Sequence, residues 1–170
     1  MENKTPSKVW FCPRITADNL MKVYRAMGRE AKGRVAVKLS TGEAGNPNHL
    51  SVDVIKKLVK AVDGTIVECN TAYEGRRCNV PDHIQTAAEH GFTAIAEVDI
   101  MDGEGEMELP VRHSRHIKTN LVGKNWENYD FTIVLSHFKG HPMAGFGGAL
   151  KNIGMGCGSR AGKMAMHRDG

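Results

Sequence analysis

Short apolar stretches alternate along the chain with segments in which apolar residues recur at helical spacing. Val35, Val37 and Leu39 alternate with other residues as in a strand, whereas Leu20 and Val23 fall on one face of a helix. Strands are predicted at Lys8–Pro13, Arg34–Leu39, Thr65–Cys69 and Phe131–Phe138. This alternation is typical of a parallel sheet covered by helices.

Capping residues divide the helical segments. Thr16 and Ser51 are predicted to begin the first two helices, and Pro81 opens a third that continues through His90. The pattern then loosens: the predicted elements are a strand at Ile95–Ile100, an acidic turn at Asp102–Glu108 and a helix at Arg112–Val122. Residues 1–170 are therefore predicted to form a single α/β domain, with a mostly parallel sheet and helices on both of its faces.

The composition is that of an ordinary globular protein, because 41% of the 170 residues are hydrophobic and 25% are charged. The net charge of +4 fits a small anionic ligand and is too low to predict nucleic-acid binding. No apolar run reaches the roughly 18 residues of a membrane span, and Met1–Lys8 lacks the apolar core of a signal peptide. We therefore expect a cytoplasmic protein that contacts neither nucleic acid nor membrane.

Four cysteines stand far apart: Cys12, Cys69, Cys78 and Cys157. Their spacing excludes a zinc ribbon or a ferredoxin motif within this chain. We expect no disulfide and no iron–sulfur cluster held by these four residues alone. Cys69 and Cys78 flank one loop, so we expect this pair to approach most closely.

Three polar loops follow predicted strands, at residues 40–49, 70–79 and 136–141. Because parallel strands end at the same edge of a sheet, these loops are expected to share one rim. Asn70, Arg76 and Ser136 supply an amide, a guanidinium and a hydroxyl that can hold a phosphate or a carboxylate. Each loop taken alone is equally compatible with an ordinary solvated loop.

The glycine-rich segment that follows is the sharpest site candidate. Gly145, Gly147 and Gly148 precede a predicted helix start, where exposed backbone N–H groups attract anions, and Lys151 adds a positive charge. The spacing differs from that of a phosphate-binding loop. A tight turn that needs glycine for close packing explains the same pattern, and both interpretations stay open.

Three histidines accompany this segment. His137 and His141 bracket a loop four residues apart, and His167 lies in a basic neighbourhood near the chain end. Histidine serves both proton transfer and metal ligation, so His141 is a candidate acid–base residue, and His137 and His167 are candidate metal ligands. Residues 131–168 contain five lysines and arginines and no acid, which favours an anionic ligand, although a solvated basic surface has the same composition.

Long glycine-patterned motifs carry a resemblance to a known family. The motifs are Ser136–His141, Gly145–Gly156, Ser159–Lys163, Ala87–Phe92 and the loop around Asn70 and Arg76. From about Val9 onward the chain resembles domain-of-unknown-function family 362, whose members are often described as iron–sulfur proteins. The family's additional cysteines lie beyond the region present here. The chain therefore resembles an N-terminal portion, either a fragment or an unusually short member, and the resemblance implies a 4Fe-4S cluster only in a full-length protein.

A more distant resemblance implies chemistry. The chain is similar to nickel-dependent lactate racemases in the spacing of His141, Lys151 and His167, which lie ten and sixteen residues apart. The resemblance implies that Lys151 holds a nickel pincer nucleotide, that His167 ligates the nickel and that His141 transfers a proton. A second catalytic histidine of the racemases has no clear counterpart in residues 70–79.

Two hypotheses of function follow. In the first, the chain is a racemase-like or other proton-transfer enzyme with a small anionic ligand or cofactor. In the second, it is a non-catalytic partner domain of an iron–sulfur electron-transfer protein whose cluster ligands lie outside this chain. The family motifs end at Lys163 and only seven residues follow, so we also expect a missing C-terminal half. Its absence would leave apolar side chains exposed at Phe138, Met143, Phe146, Ile153 and Met155.

Overall fold

The computed structural model describes residues 6–168. Its helices are α1 (Ala17–Ala26), α2 (Val52–Ala61), α3 (Val80–Glu89), α4 (Ala149–Gly154) and α5 (Arg160–Arg168), with 3₁₀ helices at Phe92–Ala94 and Lys124–Asn128. Its strands are β1 (Val35–Lys38), β2 (Gly64–Glu68), β3 (Val98–Ile100), β4 (Glu106–Pro110), β5 (Thr119–Gly123), β6 (Phe131–Val134), β7 (Lys139–His141) and β8 (Gly145–Gly147).

Four strands form a parallel sheet in the order β3-β2-β1-β6. Val35 of β1 lies opposite Gly64 of β2 on one side and opposite Phe131 of β6 on the other. The predicted α/β class with a parallel sheet flanked by helices is therefore confirmed. The strands at Arg34–Leu39, Thr65–Cys69, Ile95–Ile100 and Phe131–Phe138 are also confirmed in kind, within shorter bounds.

Local signals explain where the helices begin. The Thr16 side chain accepts a hydrogen bond from the backbone of Asn19 at the start of α1, and Asn79 does the same for Asp82 at the start of α3. Ser51 occupies the N-cap position of α2 without a side-chain bond. Gly91, at a φ of 84°, ends the third helical segment in the left-handed conformation that glycine adopts without strain.

The core lies on both faces of the sheet because neighbouring residues of a strand point in opposite directions. Val37 and Ile66 point to one face and pack with Ile55 and Val59 of α2. On the other face the buried cluster consists of Ala36, Val67, Cys69 and Met101, with partly buried Trp126 and Tyr129 packed against it.

Two predicted elements were wrong. Lys8–Pro13 forms no strand and has no neighbouring strand to pair with, so Val9 and Phe11 are exposed. The predicted helix at Arg112–Val122 is instead a connection over residues 111–118 followed by β5, because residues 119–123 pair antiparallel with β4. The confirmed strand β6 is shorter than predicted, since it ends at Val134, and it is half-buried because it lies at the edge of the sheet.

The α-helices are six to ten residues long. Within residues 6–168, none of them has both the length and the apolar composition that a membrane span needs.

The contact between α5 and β5 generates a prediction about Gly162. A Cβ atom built on this buried glycine would lie 2.1 Å from the Leu121 carbonyl oxygen. We expect Gly162→Ala to lower the free energy of unfolding by about 1–3 kcal/mol, because the backbone must shift to relieve the clash. Urea denaturation monitored by circular dichroism measures this loss.

Gly154→Ala is the matched control, because a Cβ atom at Gly154 meets no atom within 4 Å. Equal stability of the Gly162→Ala and Gly154→Ala variants would show that α5 does not pack against β5 as described.

Candidate functional site

The order of the strands reverses next to β1. The chain proceeds from β1 to β2 and β3 in one direction, whereas β6 lies on the opposite side of β1. The loops after β1 and β6 therefore leave the sheet side by side, at the kind of switch point where α/β proteins bind ligands. The candidate site is built from the residues that follow β6.

Asn152 of α4 connects this helix to the ends of both strands. Its side-chain amide donates to the carbonyl oxygens of Lys38 and Leu135, at 3.1 and 3.3 Å, and to Ser136 Oγ at 3.1 Å. The Lys38 ammonium donates in return to Asn152 Oδ1 at 2.9 Å. Ser136, a predicted ligand-binding residue, thus helps to hold α4 against the sheet.

A short hairpin lies between β6 and α4. Its strands β7 and β8 pair antiparallel, with His141 opposite Gly145. Gly145 has a φ of 75°, so a side chain would be strained there. The Phe138 and Phe146 rings are 5.5 Å apart.

The hairpin and α4 bring His141 and Lys151 into contact. His141 Nε2 lies 2.5 Å from Lys151 Nζ. On the other side of the ring, Nδ1 accepts hydrogen bonds from the backbone N–H groups of Met143 and Ala144, at 3.2 and 3.1 Å. Both nitrogens of the imidazole are therefore held in a defined orientation.

The local environment lowers the pKa of both groups. Burial, followed by the charges of Lys151 and Lys139, lowers the pKa of His141. Burial and the charge of Lys139 lower the pKa of Lys151. Both groups are therefore shifted towards their neutral forms, in which imidazole and amine can accept protons.

One cavity contains the three residues whose spacing resembles that of the racemases. Its volume is about 590 Å³, and its lining includes His141, Lys151 and His167. The rest of the lining is largely apolar and includes Phe138, Met143, Phe146, Leu150, Met155 and Met166. This space, called the His141–Lys151 cavity below, combines an apolar wall with a few basic groups, as small-molecule sites commonly do.

The apolar side chains around the cavity are open to solvent. Phe138, Met143 and Phe146 are 74%, 82% and 60% exposed, Ile153 is exposed as well and Met155 is partly buried. The predicted exposure of apolar surface in this region is confirmed. That a further part of the protein covers this surface stays a prediction.

The glycines contribute less to the cavity than the sequence indicated. Gly148 lines it and precedes α4, whereas Gly145 and Gly147 lie in β8 outside the lining. Since α4 has only six residues, its dipole offers little attraction to an anion. Gly147 has a different role, because its position lies between the side chains of Lys139 and Lys151, each 3.9 Å from a Cβ atom built there.

Other candidate residues lie apart from the cavity. Asn70 bonds to Asp102 and His83, and Arg76 forms two hydrogen bonds with Glu89 on the outer surface. His137 is exposed and does not line the cavity. Among residues 6–168, no group of three or more histidine, cysteine, aspartate or glutamate side chains is placed to hold a metal ion.

A buried polar cluster was missed by the sequence reasoning. Glu68, 3% exposed at the end of β2, accepts hydrogen bonds from the Thr41 backbone and from Arg77, and lies 3.1 Å from His83 Nε2. Burial opposes ionisation, yet the charge of Arg77 and the bond to His83 hold the pKa of Glu68 well below its usual range. We call Thr41, Glu68, Arg77 and His83 the Glu68 cluster.

Lys163 anchors α5 next to this cluster. Its buried ammonium donates to the carbonyl oxygens of Cys69, Asn70 and Gly158, at 3.3, 2.8 and 2.6 Å. Three acceptors match the three protons of the ammonium group, although burial lowers the pKa of Lys163. For Glu68 and Lys38, the sequence offered one signal of a buried polar role: each is a charged residue in an otherwise apolar strand.

The cysteines are arranged differently from the prediction. All four are free, and the Cys69 thiol donates to the Cys157 carbonyl oxygen at 3.4 Å. Cys69 therefore lies against Cys157, although Cys78 was expected to be its closest partner. Burial raises the pKa of Cys69 to about 12, which makes this thiol a poor nucleophile and a poor metal ligand.

The four-stranded parallel sheet flanked by helices defines a protein of the α/β class. Residues 35–170 match the family model described as Domain of unknown function (DUF362). The match covers well over half of the chain, so the protein belongs to this family. Neither the curated proteins nor the solved structures contain a match.

The Glu68 cluster generates a prediction about pH and stability. The low pKa of Glu68 adds stability that is fully present above its ordinary pKa of 4.5 and is lost as the pH falls towards the folded-state value. We expect Glu68→Gln to cost about 3 kcal/mol at neutral pH, because Arg77 loses its buried counter-charge. Unfolding curves from about pH 7 to about pH 3 should show this difference shrinking.

Glu89→Gln is the control, since Glu89 pairs with Arg76 in solvent and exposed pairs contribute little. A Glu68→Gln variant that is no less stable than Glu89→Gln at neutral pH would contradict the role of the cluster.

Proposed function

We propose that the His141–Lys151 cavity binds a small anionic ligand or cofactor, with Lys151 as the anchor and His141 as the group that transfers a proton. The observation that carries this proposal is the 2.5 Å contact between the two side chains inside a cavity that His167 also lines. A proton can pass between an imidazole and an amine at this distance.

Charge supports an anionic ligand. Lys139, Lys151 and His167 lie in or next to the cavity, and residues 131–168 contain no acid that would neutralise them. A carboxylate or a phosphate entering an apolar space needs a cationic partner there, because burial of an unpaired charge is costly. Lys139, next to Lys151, supplies that partner.

Proton transfer is assigned to His141. The Met143 and Ala144 N–H groups occupy its Nδ1 atom, so exchange with a ligand falls to Nε2. The lowered pKa of His141 favours the neutral ring, which can give its Nε2 proton to a ligand and take one back. The protein would therefore be a proton-transfer enzyme.

The spacing shared with lactate racemases makes a nickel pincer nucleotide a specific form of this proposal. Lys151 offers an amine for a covalent link, and His167 offers an imidazole in the same cavity. The described part of the chain gathers no three-ligand group, so only a cofactor that brings its own metal ligands fits. Such a cofactor would supply the metal centre, while His141 would move the proton.

A second candidate function has one observation in its favour. The exposed side chains of Phe138, Met143 and Phe146 form an apolar surface of the kind that protein partners cover. This surface supports a partner domain of an iron–sulfur protein, with the cluster ligands outside this chain. The contact between His141 and Lys151 has no role in that alternative.

Lys151→Ala tests the anchor. We expect this variant of the full-length protein to lose bound phosphate-bearing cofactor and metal while it keeps its fold, because Lys151 lies on the cavity wall and is partly exposed. Native mass spectrometry and elemental analysis of protein purified without a metal-binding tag measure retention.

Lys124→Ala, which removes an exposed lysine outside the cavity, is the control and should retain the wild-type content. If Lys151→Ala retains as much phosphate and metal as Lys124→Ala, the assignment of the site is wrong.

A further inference from the structure

The hydrogen bonds of His141 determine where the proton between His141 and Lys151 resides. Two backbone N–H groups point at Nδ1, and these groups can only donate. Nδ1 must therefore offer its lone pair, so the proton of a neutral imidazole is on Nε2. That proton points at Lys151 Nζ, which lies 2.5 Å from Nε2, and an ammonium group has no lone pair with which to accept it. A hydrogen bond between the two side chains therefore forms when Lys151 is a free amine.

The surroundings of Lys151 favour the same state. Its side chain lies beside that of Lys139 across Gly147, and the cavity wall around its amine is largely apolar. A neighbouring cation and an apolar pocket are the two conditions that activate a lysine as a nucleophile. Burial and Lys139 lower the pKa of Lys151, in agreement with the geometry.

From this arrangement we infer that Lys151 forms an imine with the carbonyl carbon of a 2-oxo acid that carries an apolar side chain. The carbonyl matches the amine, the carboxylate matches the charge of Lys139, and the apolar side chain matches the wall formed by Phe138, Met143 and Phe146. This inference rests on the proposed function of the same cavity and specifies its ligand.

The reaction balances without an oxidant or a reductant. The Lys151 amine adds to the carbonyl carbon while His141 gives its Nε2 proton to the carbonyl oxygen and takes one proton back from the Lys151 nitrogen, which leaves a neutral carbinolamine. His141 passes the second nitrogen proton to the hydroxyl group in the same way, and this group leaves as water. The products are a carbon–nitrogen double bond to Lys151 and one water molecule, and the imidazole returns to its starting state.

Reductive trapping tests the inference. The wild-type protein is incubated with α-ketoisocaproate and cyanoborohydride, which delivers hydride to the imine carbon and fixes the adduct. Mass spectrometry should show a gain of one ligand less one oxygen atom, and peptide mapping should place it on Lys151. Lys151→Arg should lose the adduct, whereas Lys124→Ala should keep it. An adduct spread evenly over the surface lysines overturns the inference.

Two further ligands separate this inference from the proposed function. Pyruvate lacks the apolar side chain, so it should give less adduct than α-ketoisocaproate at equal concentration. Isocaproate has the carboxylate and the side chain but no carbonyl, so it should bind reversibly and reduce trapping. Ligand-observed NMR measures this binding in the wild type and in Lys151→Ala.

The outcomes are distinguishable. If isocaproate binds to the wild type but α-ketoisocaproate gives no adduct on Lys151, the imine is excluded and the anion site stands. If neither ligand binds or reacts, both the imine and an anion site for carboxylates in this cavity are excluded. Equal trapping of pyruvate and α-ketoisocaproate excludes the apolar part of the ligand assignment.

Discussion

The carboxylate of Glu68 accepts hydrogen bonds at the end of β2 from the Thr41 backbone and from Arg77, and His83 of α3 contacts it as well. Thr41 follows β1, whereas Arg77 and His83 follow β2, so the partners come from two segments that lie far apart in the sequence. A buried negative charge is tolerated only when such partners surround it, so both segments are held at one place on the rim. Lys38, at the end of β1, adds a second positive charge.

Lys38 also connects this buried charge to the cavity. Its ammonium group donates to Asn152, and the Asn152 amide donates to the ends of β1 and β6. Lys151 is the neighbour of Asn152 in α4, so the position of the amine depends on the contacts of Lys38, whose charge acts on Glu68. Side chains locked by such contacts hold a reactive group more precisely than a loop does.

The hairpin that carries His141 has few such contacts. Its apolar residues Phe138, Met143 and Phe146 are exposed. Within the described part of the chain, the contacts that order it are the pairing of β7 with β8, the contact between Phe138 and Phe146 and the hydrogen bonds of His141. A well-ordered lysine next to a weakly packed hairpin suits a cavity that must admit an organic ligand, because weakly packed segments open with a small free-energy change.

The sequence by itself determined the α/β class, because alternating apolar runs and capped helical segments are local patterns that need no partner to be recognised. It also singled out His141, Lys151 and His167, which line one cavity. Only the tertiary structure decided that β6 is an edge strand, that residues 119–123 pair with β4 and that Lys8–Pro13 is not a strand, since pairing depends on neighbours distant in sequence. For the same reason the Glu68 cluster and the proton between His141 and Lys151 could not be predicted: both depend on which donors and acceptors the fold brings within hydrogen-bonding distance.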